Sequence, residues 1–201
     1  MTAQEKFWKW FVENEDRLFA LDATSESGRE QVFDELAERL SAVSPDLTFE
    51  FGPRESRREI IVSADGIKSA FGDVSSLVAA APSFERWHII AFRPRRGAFD
   101  IDIGGIKILC NDVQFSLLHN GKVAGIYLLI PGYNEAEPIY KQAGYLLLDG
   151  LLGEFDVEAK VGLIEMFSPT TDTELDRYPI SELPARFDEL IAKLGPVEPR
   201  A

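Results

Sequence analysis

Apolar residues recur at helical spacing over Thr2 to Phe19. Phe7, Trp8, Phe11, Val12, Leu18 and Phe19 form the stripe, and Glu5, Lys9, Glu13 and Asp16 lie off it. A second helix is predicted from Ser27 to Val43, with Val32, Phe33, Leu36, Leu40 and Val43 inward, stopped at Ser44-Pro45. The period then changes. Leu47 to Phe51 and Glu59 to Ser63 read as strands joined by the polar turn Gly52 to Arg58. Ile67 to Ala81 reads as a third helix, weakened at Gly72 and ended by Pro82. Trp87 to Phe92, apolar on both faces apart from His88, is predicted as a central strand. Residues 93–111 are irregular, with a short strand at Phe99 to Ile103.

The second half repeats this order. Asp112 to Leu118 and Lys122 to Ile130 flank His119-Asn120-Gly121, and Asn-Gly marks a hairpin because both residues tolerate positive φ. Pro138 to Leu152 is predicted as a deeply buried helix with Gly153 past its end. Val157 to Phe167 follows as a strand, with a phase change at Gly162 that suggests a bulge. A polar loop, Ser168 to Leu183, leads to a last helix, Pro184 to Leu194. These elements predict an α+β fold: one mostly antiparallel, six-stranded sheet covered by helices, with two helices at the N-terminus. The sheet is built from two strand-strand-helix-strand halves, 47–93 and 112–167, within one globular domain over 1–201.

Charge changes what such a fold is expected to meet. The 201 residues hold 34 acidic and 21 basic side chains, a net −13, which opposes nucleic acid and anionic membranes. Residues 1–50 carry −7, 51–110 carry +2 and 111–201 carry −8, so any anion is expected in the middle of the chain. The local basic surplus sits in Arg54-Arg57-Arg58 and Arg93-Arg95-Arg96. One cysteine, Cys110, excludes an internal disulfide and a cysteine-rich zinc site. The free thiol, with neither an export signal nor a long apolar run, points to a bacterial cytoplasm.

Phosphate-binding loops, nucleophile elbows, dinucleotide fingerprints and H-E-x-x-H are all missing from the sequence, and no metal or cofactor is expected. Cys110 precedes His119 by nine residues across a strand, which disfavours a thiol–imidazole pair. Asp100 and Asp102 alternate onto one face of an extended segment, either as a carboxylate pair, which Asp112 could join, or as the solvated side of an edge strand. Arg93, Arg95 and Arg96 leave a strand end, where they either grip an anion or pair with acids of the flanking helices. Asp65-Gly66 offers N–H groups to an anion or caps the following helix. Trp8 and Trp10 cannot both occupy the centre of one helix face, so one of them is a candidate partner surface.

Four segments, Phe7-Trp8-Lys9-Trp10-Phe11, Ser63-Ala64-Asp65-Gly66-Ile67, Ala91-Phe92-Arg93-Pro94 and Leu152-Gly153-Glu154-Phe155-Asp156, together resemble uncharacterised bacterial proteins of unknown function. That resemblance carries no catalytic residue. The expected function is a non-enzymatic binding or regulatory protein whose acidic surface holds a protein partner, of immunity or adaptor type. The alternative is an enzyme acting on a small anionic substrate, with Arg93, Arg95 and Arg96 as anion binders and Asp100 or Asp102 as base or metal ligand.

Overall fold

The structure is a computed structural model that describes residues 1–54, 56–171 and 174–195. Glu55 of the expected Gly52–Arg58 turn, the side chain of Arg54, and residues 172 and 173 of the expected Ser168–Leu183 loop lie outside the described residues. The chain divides into two compact units, Met1–Arg93 and Pro94–Ala201.

In the first unit Thr2 starts helix α1 (Ala3–Glu13) with a capping box. Its hydroxyl accepts from the Glu5 N–H (3.1 Å), and the Glu5 carboxylate accepts from the Thr2 N–H (2.8 Å). The expected helix breaks at Asn14, whose amide donates to the Trp10 carbonyl (2.9 Å), a local competition with the helix ladder typical of asparagine. A short helix α2 (Glu15–Phe19) follows. Ser25 caps α3 (Glu26–Ser41), which buries Val32, Leu36 and Leu40 at a spacing of four. Phe33 falls off that seam and stays 41% exposed, contrary to the expected stripe.

A three-stranded sheet has the order β1 (Thr48–Arg54), β2 (Arg58–Ser63), β3 (Trp87–Ala91), with α4 (Phe71–Ala79) connecting the last two. β1 and β2 are antiparallel, and β2 and β3 parallel. β3 is therefore an edge strand and not the expected central one. The centre belongs to β2, whose Ile60, Ile61 and Val62 are buried on both faces, whereas Ile89 and Ile90 of β3 are only half-buried. Trp87 anchors the core, its ring 5.1 Å from Phe11 and 5.7 Å from both Phe19 and Phe51.

The second unit opens with a two-stranded hairpin, β4 (Ile101–Ile103) and β5 (Ile106–Ile108). Its turn residues Gly104 (φ 57) and Gly105 (φ 82) both need the left-handed region that glycine tolerates. A four-stranded sheet follows with the order β8 (Val161–Phe167), β7 (Ala124–Leu129), β6 (Gln114–His119), β9 (Tyr178–Pro179). β6 (Gln114–His119) and β7 (Ala124–Leu129) form the Asn-Gly hairpin. Helix α5 (Pro138–Leu152) has the bounds its sequence predicts. Gly153, at φ 80, then admits a further helix, α6 (Glu154–Lys160), before β8 (Val161–Phe167). The expected 157–167 strand thus starts four residues late. Acids in the first turn of α6 and the Asp156–Lys160 pair (2.7 Å) favour helix there. β8 runs parallel to β7 with an irregularity at Gly162, where a bulge is predicted. β9 (Tyr178–Pro179) pairs with β6, and α7 (Leu183–Leu194) ends the unit.

The fold is α+β; among the described residues it has seven α-helices, and the expected six-stranded sheet is instead three separate sheets of three, two and four strands. The physical reason is that each unit closes its own core. One cluster runs from Phe7 to Phe92 and the other from Ile101 to Phe187, and residues 93–100 form no strand to join their sheets. Both units contain an antiparallel strand pair, a helical connection and a third strand parallel to the second. Among the described residues no helix is long and apolar enough to cross a membrane.

Candidate functional site

Helix α3 buries one face, so its opposite face is fixed in solvent. Glu26, Glu30, Asp34 and Glu38 follow one another there at a spacing of four, and all are exposed. None of these four carboxylates has an ion pair among the described residues. Each adjacent like-charged pair costs about 0.2–0.5 kcal/mol of helix stability. Phe33 borders this line, tilted against Phe49 at 5.8 Å and stacked on Phe51 at 6.0 Å in β1, and leaves part of its ring in water. Glu35, on a different face, is held by Arg17 through two contacts of 2.6 and 3.0 Å. The result is a row of carboxylates beside an aromatic edge, suited to meeting a cationic, partly apolar surface. The i, i+4 recurrence of acids from Glu26 onward is legible in the sequence, although none of these four residues belongs to the candidate set read from it.

Four arginines of the first unit, Arg17, Arg58, Arg86 and Arg93, are paired with carboxylates. Arg58 is buried, grips both Asp22 carboxylate oxygens at 3.1 Å and lies 5.0 Å over the Phe51 ring. Arg86 bonds Glu15 (3.0 Å) and Asp16 (2.7 Å). Arg93 bonds Glu50 of β1 and, at 2.9 Å, Asp65. Burial alone would lower the Arg93 pKa, but Glu50 and then Asp65 reverse this and raise it. Asp65 (φ 51) and Phe92 (φ 64) are the positive-φ non-glycine residues among those described, and they follow the ends of the parallel strands β2 and β3. Aspartate tolerates this region, while for phenylalanine it is strained. The Phe92 N–H donates to Val62 O (2.8 Å) and its ring packs 4.6 Å from Phe71, contacts that hold the turn and deliver Arg93 to its carboxylates. Asp65 does not cap the next helix as the sequence suggests: neither the Lys68–Ala70 turn nor α4 has a side-chain cap.

In the second unit Arg95 grips Asp188 through two contacts of 2.9 Å, bonds Asp156 at 2.7 Å and donates to the Leu152 carbonyl at 2.8 Å. The backbone N–H of Arg96 donates to Gly150 O at 2.7 Å. An anion would have to displace carboxylates from both Arg93 and Arg95. Asp100 and Asp102 flank buried Ile101 on the exposed side of the β4 segment. Asp100 accepts from the Cys110 N–H (2.9 Å), which holds its carboxyl below the usual range. Asp102 stands opposite Lys107 in the β4–β5 register. The Cys110 thiol is pushed up by burial and then by Asp100, away from the thiolate form. The His119 ring accepts from the Gly121 N–H (3.2 Å). No group of three or more His, Cys, Asp or Glu side chains is placed to hold a metal ion among the described residues.

Of the two tryptophans, Trp8 is buried at 3% exposure and donates its indole N–H to Leu77 O (2.8 Å), so it offers no surface. Trp10 is half-buried, with the Arg39 guanidinium 5.7 Å from its ring. No protein-family model matches the chain, and no curated protein and no solved structure matches it.

Proposed function

We propose that the protein is a non-enzymatic binding protein that holds a basic protein partner against the outer face of α3. The observation that carries this reading is the exposed line Glu26, Glu30, Asp34 and Glu38, without ion pairs among the described residues of a unit whose Arg17, Arg58, Arg86 and Arg93 are all neutralised by other acids. Phe33 supplies the apolar anchor that a purely electrostatic contact lacks. Long-range attraction from a net −13 chain speeds the encounter, and the carboxylate row orients it.

The test is a titration of a fluorescently labelled helical peptide of alternating Lys, Arg and Leu, followed by anisotropy at low and high salt. Binding should weaken steeply with salt. The double reversal Glu30→Lys, Asp34→Lys should lower affinity at least tenfold, while Glu174→Lys, Glu189→Lys changes it less than twofold. Equal losses in the two variants would reduce the interaction to net charge and overturn the assignment to α3.

A further inference from the structure

The second unit carries a feature unrelated to the acidic helix. Strands β7 and β8 run parallel, and ligands of such sheets favour the loops beyond the carboxyl ends of the strands. There a cleft of about 630 Å³ opens between the loop after β7, the first turns of α5 and the end of β8, within the size range of small-ligand sites. Tyr133, Glu135, Lys141, Tyr145, Glu165 and Ser168 line it. Lys141 and Tyr145 share one face of α5, one turn apart. Burial, and then Glu135, push the Tyr133 phenol up, which keeps it a neutral donor.

Charges of both signs line this cleft. Lys141, Glu135 and Glu165 all face it, yet no ion pair joins the lysine to either carboxylate among the described residues. Two i,i+4 pairs of the same unit do close, Lys160–Asp156 (2.7 Å) and Arg186–Glu182 (2.7 Å). Lys141 also lies in the first turn of α5, where the helix dipole disfavours a cation and an anion would relieve both. We propose that this cleft binds a small zwitterion the size of a di- or tripeptide, its carboxylate on Lys141 and its ammonium between Glu135 and Glu165. Tyr133 and Tyr145 also line the cleft, which suits an aromatic side chain on the ligand.

Calorimetric titration of the full chain with the dipeptide Phe-Phe tests this, alongside its N-acetylated and C-amidated forms. The free dipeptide should bind, and each blocked form should bind at least tenfold more weakly. Lys141→Met should abolish the difference between the free and amidated forms, and Glu135→Gln, Glu165→Gln the difference between the free and acetylated forms. Absence of binding at millimolar peptide, or equal affinity for all three forms, overturns the proposal. That comparison uses the unaltered protein and stands even if a variant fails to fold. It is also independent of α3, whose substitutions should leave the peptide affinities unchanged.

Discussion

The indole N–H of Trp8 donates to the carbonyl of Leu77 at 2.8 Å, tying the first helix to the last turn of α4 through a buried bond. Trp87, equally buried, has an indole N–H without a hydrogen-bond partner among the described residues. Trp8→Phe therefore removes a buried bond and leaves Leu77 O with only the Ala80 N–H (3.2 Å), whereas Trp87→Phe removes a donor that is already unsatisfied. Both lose ring volume, so the difference between them isolates the bond. Trp8→Phe should be more destabilising by about 1 kcal/mol in urea denaturation.

Arg95 holds Asp188 below the ordinary aspartate range, with the hydrogen bond as the largest cause. A depressed carboxylate contributes stability that is present above its unfolded pKa of about 3.9 and lost as pH falls through the folded value. Both side chains are partly exposed, which limits the effect. Arg95→Ala should cost about 1–2 kcal/mol at pH 7, including the lost bond to Leu152 O. The gap between the thermal melts of the two proteins should narrow as the pH drops below about 4, leaving the part due to the Leu152 O bond.

Cys110 should be a slow thiol. Its half-buried sulfur and the neighbouring Asp100 charge both oppose the thiolate, the species that reacts. Labelling by a disulfide reagent at pH 8 should lag behind an unhindered cysteine. Asp100→Asn keeps an acceptor for the Cys110 N–H but removes the charge, so it should raise the rate.

Much of this architecture is legible in the sequence where local signals agree. Helix α5 has Pro138 at its first position, Gly153 past its end and an apolar second half, and its bounds follow directly. The Asn120-Gly121 hairpin and the bulge at Gly162 are equally local. What escapes is set by non-local packing. Nothing in Trp87–Ala91 reveals that β2 and not β3 takes the centre, because both strands are apolar. The division into separate sheets depends on which core each strand joins, and hydrophobic periodicity does not encode that. Gly104-Gly105 is a readable turn signal hidden by the brevity of its two three-residue strands. At the candidate site, the spacing of acids in α3 is visible in the sequence. That Arg17, Arg58, Arg86 and Arg93 find other partners depends on tertiary contacts.

A carboxylate row kept for binding has a stability signature. Glu30→Gln with Asp34→Asn removes like-charge repulsion along α3 and should raise stability by a few tenths of a kcal/mol at low salt, an increment that vanishes at high salt. The same variant should bind the cationic peptide more weakly. A structural role for these residues would instead lower stability on neutralisation.

The most direct measurement is amide chemical-shift mapping of the labelled protein as the cationic helical peptide is added at low salt. Residues 26–41 and the neighbouring Phe49 and Phe51 should shift together, saturating at one affinity, with Phe33 among the largest changes. Shifts scattered over acids of both units, or centred away from α3, would contradict a partner-binding face on this helix.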